Sequence, residues 1–159
     1  MGEKTWACGC VRITASHQRR IANGNDSLSF TPGALRFLLD SRRWAEFPSA
    51  VKSDERKYPI WLRCNRDIRL EESYTLPAGF SAAGKLPERQ EIKEKAGSYI
   101  FSASAIAAGK KTPATVSFSH RFVIERRTVE VEEYAGFRKA ANAFLDFDKT
   151  LIELKKGGN

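Results

Sequence analysis

The chain has 159 residues, 42% of them hydrophobic and 29% charged, with a net charge of +8 and three cysteines. That length suits one domain, or one domain with an irregular arm, and a compact fold of this size hides roughly 68–70% of its unfolded surface. An odd number of cysteines excludes a fully paired disulfide framework, and no run approaches the roughly 20 apolar residues of a membrane helix.

The charge raises a polyanion, nucleic acid or a membrane surface, as a partner. The basic residues stand in scattered pairs, however: Arg19-Arg20, Arg42-Arg43, Lys110-Lys111, Arg126-Arg127 and Lys155-Lys156. Without a dense basic run interleaved with aromatics, the expectation is a solvated basic surface, and nucleic acid is not expected as a partner. The opening Met-Gly-Glu-Lys-Thr-Trp has no apolar signal region, so the chain as written carries no address.

Val11, Ile13 and Ala15 alternate with Arg12, Thr14 and Ser16, which predicts an edge strand over 10–16. Asn23-Gly24-Asn25 supplies turn chemistry, and 27–30 reads as a short returning strand. Thr31 and Pro32 fit the N-cap and N1 positions of a helix over 32–47 with a Leu35, Leu38, Leu39 stripe, ended by Pro48. Residues 1–50 therefore read as an N-terminal arm, the end of a preceding domain or a linker.

A polar loop over 49–58 leads into Tyr58-Pro59-Ile60-Trp61-Leu62, an apolar run suited to an edge strand beside a proline. Ile68, Leu70, Glu72, Tyr74 and Leu76 alternate with polar residues, predicting a strand with one wet face. Pro77-Ala78-Gly79 makes a turn, 88–95 alternates weakly around Ile92, and 98–107 reads as a longer strand. Gly109 to Pro113 is a hairpin loop by length and content. Val116, Phe118, His120, Phe122 and Ile124 then mark the buried face of a strand over 114–124. The period changes next: Tyr134, Phe137, Ala141, Phe144 and Leu145 form the stripe of an amphipathic helix over about 131–147, with Glu130, Glu132 and Glu133 near its positive end. Residues 151–154 close as a short strand. Short strands near ten-residue spacing predict a mainly β, antiparallel β-sandwich-like domain over 51–156 with one C-terminal amphipathic helix.

Nucleophilic catalysis requires Cys or Ser beside a base that a third group orients. The histidines are His17, in the poorly patterned arm, and His120, on the apolar phase of a strand and expected to be a hydrogen-bonded structural residue. Cys8 and Cys10 stand one residue apart, without further ligands at zinc-like spacing, and Cys64 reads as a small buried hydrophobe. With no Gly-x-Ser-x-Gly elbow, phosphate loop or paired carboxylates, the expectation is no catalytic, cofactor-binding or metal residue in this chain. Trp6, Trp44 and Trp61 are expected in core or domain contacts, against a stacking platform for sugars or bases. Gly136, inside the helix, is expected to mark close approach to the sheet.

Arg56-Lys57-Tyr58-Pro59-Ile60, Tyr74-Thr75-Leu76-Pro77-Ala78-Gly79-Phe80, Leu86-Pro87 and Gly97-Ser98-Tyr99 follow in order. Arg126-Arg127, Tyr134-Ala135-Gly136-Phe137-Arg138 and Ile152-Glu153-Leu154-Lys155 continue the series. This ordered set, spanning about 54–156, resembles the C-terminal accessory domain, of unknown function, of bacterial transglutaminase-like proteins; the Leu-Pro-x-Gly-Phe stretch is its most specific piece. The resemblance implies a β-sandwich-like module following a papain-like core with catalytic Cys, His and Asp, often in exported or periplasmic proteins. Cys8 and Cys10 precede a β-like stretch instead of a helix, so no catalytic residue carries over. The implied reading is a non-catalytic accessory domain, a fragment or truncated reading frame, whose partner is a transglutaminase-like core. The rivals are a stand-alone binder of an anionic or glycan ligand through the basic surface, and an undetected hydrolase or transferase with a reactive thiol.

Overall fold

A computed structural model of the chain describes residues 11–21, 27–31, 50–82 and 86–156, and the backbone alone at 11–20, 27, 28 and 148. The helix expected over 32–47 lies outside the described residues.

The main sheet has five strands in the order β1 (Val11–Arg20), β4 (Arg66–Thr75), β8 (Thr115–Ile124), β7 (Gly97–Ile106) and β6 (Gln90–Lys93). A three-stranded sheet runs β2 (Ser27–Phe30), β10 (Ile152–Lys156), β5 (Phe80–Ala82), and a two-stranded ribbon pairs β3 (Ile60–Trp61) with β9 (Thr128–Val129). The pairs are antiparallel except one: β1 lies parallel to β4, with Val11 opposite Arg66 and Arg20 opposite Thr75. The expected antiparallel, sandwich-like class holds, with this one parallel pair added to it. A parallel neighbour requires a crossover connection, here residues 21–65, and alternation along a strand carries no signature of partner direction. The short strands of the first 30 residues thus hydrogen-bond into the same sheets as the rest, β1 on β4 and β2 on β10.

The period-two patterns fall as expected. Ile68, Leu70, Glu72 and Tyr74 of β4, Tyr99 and Phe101 of β7, and Val116, Phe118, His120, Phe122 and Ile124 of β8 are all buried on one face. The other face is wet and rich in hydroxyls, with Ser117 donating to Ser73 and Ser119 to Glu71. The buried face is covered by the small sheet, through Phe30, Phe80, Ile152 and Leu154, and by α1 (Tyr134–Leu145) with a 3-10 turn at each end, Val131–Glu133 and Asp146–Lys149. The result is a mostly antiparallel, sandwich-like packing with one C-terminal helix. None of the described helices is long and apolar enough to cross a membrane.

Helix and sheet interlock through rings. Phe144 stacks on Phe122 at 5.1 Å and meets Tyr99 edge-on at 5.8 Å. Phe147, in the 3-10 turn, lies 4.6 Å from Phe101 and 5.5 Å from Phe118. Tyr134, Phe137, Ala140, Ala141 and Phe144 form the buried stripe of α1; the alanines let the helix axis approach the strands. The helix start is tied down twice. Glu133 accepts from Lys95 at 2.8 Å and Arg126 at 3.1 Å. The Tyr134 hydroxyl donates to the Ser53 carbonyl, and Arg138 pairs with Asp54 and donates to the Val51 carbonyl at 3.2 Å. These bonds pull the 50–57 loop onto α1, with Arg56 lying 5.5 Å over the Tyr134 ring.

The glycine that permits this contact is Gly97 of β7, not Gly136. A Cβ at Gly97 would stand 3.1 Å from the Phe137 ring and 3.1 Å from the Val123 carbonyl, both held in place. At Gly136 the neighbour is the carboxylate end of Glu94, 2.6 Å away but on a side chain that can swing. Gly97→Ala is therefore expected to destabilise by about 1–3 kcal/mol through overpacking. Gly136→Ala should be neutral or stabilising by up to about 1 kcal/mol, the helix-interior difference between the two residues. Urea denaturation of both variants measures the contrast.

Candidate functional site

Two places in the fold gather side chains with chemical potential, one buried and one exposed. The buried one lies on the core face of the main sheet, where three strands place polar groups among apolar ones. Leu70 of β4 and Phe101 of β7 flank His120 of β8 in register. His120 is 1% exposed, and its Nδ1 lies 3.0 Å from the Tyr99 hydroxyl. Its Nε2 has no hydrogen-bond partner among the described residues. Phe147 closes edge-on over the imidazole at 4.2 Å, and Phe101 lies at 5.0 Å. This enclosure pushes the imidazole down from 6.5 to about 4, because burial disfavours the charged form, and pushes the Tyr99 phenol up for the same reason. His120 is thus neutral near pH 7 and held as a structural residue.

Two residues along β4 from Leu70, Glu72 is 1% exposed and accepts from the Tyr74 hydroxyl. In register, His17 of β1 stands opposite Glu72. The sequence put Glu72 on the apolar phase, which located it correctly but gave no reason for a carboxylate there; the Tyr74 phenol two residues on is the signal that could have found the pair.

On the opposite, wet face Asp67 is 5% exposed and receives both Arg121 donors, Nε at 3.0 Å and a terminal nitrogen at 3.2 Å, with Arg69 at 3.4 Å. The Arg121 hydrogen bonds hold the Asp67 carboxyl below its usual range. Fork-on-carboxylate pairing of this kind fixes the register of β4 against β8.

Cys64 is buried at 8% exposure in the turn before β4, away from the His120 enclosure by strand position. Cys8 and Cys10 lie outside the described residues, as do Trp6 and Trp44. Among the described residues no three of His, Cys, Asp and Glu gather as a metal site.

The exposed place is the β3 segment. Ile60 turns inward at 7% exposure, whereas Trp61 is 76% and Tyr58 78% exposed. Trp61 sits opposite Thr128, and the Leu62 amide donates to the Arg127 carbonyl at 2.7 Å. The exposed side chains of Lys57, Arg63 and Arg127 belong to the same segments. Of the core or domain contacts expected for Trp61, the core is corrected here: in so short a strand one face is buried, Ile60 takes it, and alternation sends the indole outward.

The titration of His120 has a measurable consequence. A base whose folded value lies below its unfolded one binds its proton in the unfolded chain first. Stability is then complete above about pH 6.5 and falls as pH drops toward about 4, by at most about 3 kcal/mol. Asp67 adds a further loss at lower pH, as its depressed carboxyl is protonated. Denaturation free energies measured from pH 7 to 4 should show the first slope, and His120→Leu should flatten it while keeping the loss at lower pH.

No curated protein matches the chain. A solved structure from Parabacteroides distasonis ATCC 8503, described as a putative protease, shares the fold with a TM-score of 0.70 at 11% identity, over 92% of this chain and 27% of that one. The chain therefore spans about a quarter of that neighbour's length. The model of a family described as a domain of unknown function with a solved structure, DUF3858, matches residues 35–154, and the chain belongs to that family.

Proposed function

We propose that this domain is a non-catalytic accessory module that packs on, or orients, a transglutaminase-like partner domain of a bacterial, exported protein. The observation that carries the reading is the recurrence of this fold as 27% of a longer chain described as a putative protease. The interior chemistry supports it. His120 is enclosed by Tyr99, Phe101 and Phe147, and Cys64 is buried, which supports a structural role for both. The ordered motifs, Leu-Pro-x-Gly-Phe among them, agree with it. Gly79 of that motif adopts φ +80°, a conformation that L side chains rarely take, and the Phe80 amide donates to the Pro77 carbonyl at 3.1 Å. The motif is thus a turn required by the fold.

A second reading is favoured by one observation, the exposure of Tyr58 and Trp61 beside Lys57, Arg63 and Arg127. Such a surface suits stacking on a sugar or contact with an anionic ligand. It would make the domain a binding module in its own right.

Sequencing the genomic DNA upstream of the Met1 codon is the first test. An in-frame core with Cys, His and Asp is the expected result, and a stop codon and ribosome site directly upstream would overturn the accessory reading. A second measurement separates the readings in the protein itself. Under the accessory reading, titration with heparin or soluble glycans leaves the tryptophan fluorescence unchanged, and casein is neither cleaved nor labelled with an amine. Salt-dependent quenching that disappears in Trp61→Ala would favour the binding module instead.

A further inference from the structure

We propose that the ribbon formed by β3 and β9 binds an acidic oligosaccharide, with one sugar stacked on Trp61 and the carboxylates of the chain held by Lys57, Arg63 and Arg127. The inference rests on the second reading above and narrows it, joining its two alternatives, sugar and anion, in a single ligand. Tyr58 and Trp61, 78% and 76% exposed, are the most exposed large hydrophobic side chains among the described residues. They stand three positions apart, so their Cα atoms are no more than about 10 Å from each other, the reach of a short oligosaccharide. Between Glu55 and Asp67 the chain carries Arg56, Lys57, Arg63 and Arg66 and no acidic residue. Pairing of Ile60 with Val129 and of Trp61 with Thr128 brings the exposed Arg126 and Arg127 to the same ribbon.

The ribbon is held in place by the fold itself. Ile60 and Val129 are buried, the Leu62 amide donates to the Arg127 carbonyl at 2.7 Å, and Asn65 Nδ2 donates to the Glu125 carbonyl at 2.9 Å. On the other side of Tyr58, Arg56 donates to the Ala50 carbonyl at 2.7 Å and lies over the Tyr134 ring. Pro59 fixes its own φ. A ligand therefore meets exposed rings on a backbone already ordered, and loses little affinity to ordering it.

The surroundings of the rings select the class of ligand. Ile60 turns inward and Leu62 is half-buried, so the two rings stand among cations instead of centring a broad apolar patch. A protein partner would have to desolvate those cations around an apolar contact too small for a stable interface core. A sugar asks less. It lays its C–H face on an aromatic ring and keeps its hydroxyls and carboxylate at the wet rim, where arginine forks pair with carboxylates. The cations are spaced along two segments and not massed at one point, which suits one negative group per sugar over a densely sulfated chain.

Isothermal titration calorimetry of the full chain tests it, with oligogalacturonate, neutral malto-oligosaccharide, heparin and polyglutamate as probes. Oligogalacturonate should bind at least about tenfold more tightly than the neutral sugar. Trp61→Ala should cost about tenfold or more, the order expected for an indole covered on binding. Lys57→Glu should weaken binding several-fold more than Lys111→Glu, which makes the same change in net charge on the loop between β7 and β8. Circular dichroism should be unchanged in all three variants. The inference is overturned, and the second reading kept, if Trp61→Ala weakens binding but the neutral sugar, heparin or polyglutamate binds as tightly as oligogalacturonate. Equal effects of the two charge reversals likewise overturn the carboxylate contact and the inference with it. Both fall if no probe binds, or if Trp61→Ala and Lys57→Glu bind oligogalacturonate as the native chain does.

Discussion

The packing of the C-terminal helix rings onto the aromatic face of β7 and β8 is the contact on which the rest of this structure depends. Phe144 on Phe122 and Tyr99, and Phe147 on Phe101, Phe118 and His120, join the last third of the chain to the middle of the main sheet. Each fully buried ring contributes on the order of 1.5–3 kcal/mol by removal from water, and offset or edge-on pairs add about 0.5–1.5 kcal/mol beyond that. Such contacts require the helix to lie close to the strands. Ala140, Ala141 and Gly97 provide the room, and the Lys95 and Arg126 pairs with Glu133 fix where the helix begins.

From that contact follow both the position of the small sheet and the state of the buried polar groups. The 3-10 turn after α1 carries the chain across the core face, and β10 emerges between β2 and β5 with Ile152 and Leu154 pointing inward. The same turn brings Phe147 over His120. The imidazole, with only the Tyr99 hydroxyl for a partner among the described groups, is thereby kept neutral near pH 7. Among the described residues, Tyr58 and Trp61 are the exposed aromatics with most recognition chemistry.

Much of this architecture was legible in the residues. Period-two alternation located β4, β7 and β8 within a few positions, because each has one wet and one buried face, and the step from two to about 3.6 located α1. Glu72 and His120 could be assigned to the buried face by phase alone. The neighbours that make those positions tolerable could not, since Tyr99 reaches His120 from 21 residues away and across a strand boundary. The apolar run Tyr58 to Leu62 does not by itself separate core from surface, because a two-residue strand buries only alternate side chains, here Ile60 and not Trp61. Gly136 was credited with a close approach that belongs to Gly97, because a glycine in a helix is conspicuous and one at the start of a strand reads as an ordinary turn signal.

The sequence by itself determined the mainly β class, the C-terminal helix, the inward phase of β4 and β8 and the turn at Gly79, all consequences of local periodicity and backbone sterics. Tertiary structure alone decided that β1 runs parallel to β4, that Arg121 clasps Asp67 across two strands, and that Phe147 seals His120. Those features arise between segments far apart in the chain. Strand order and register depend on which faces find one another as the core closes, and the local pattern along one strand does not encode its neighbour.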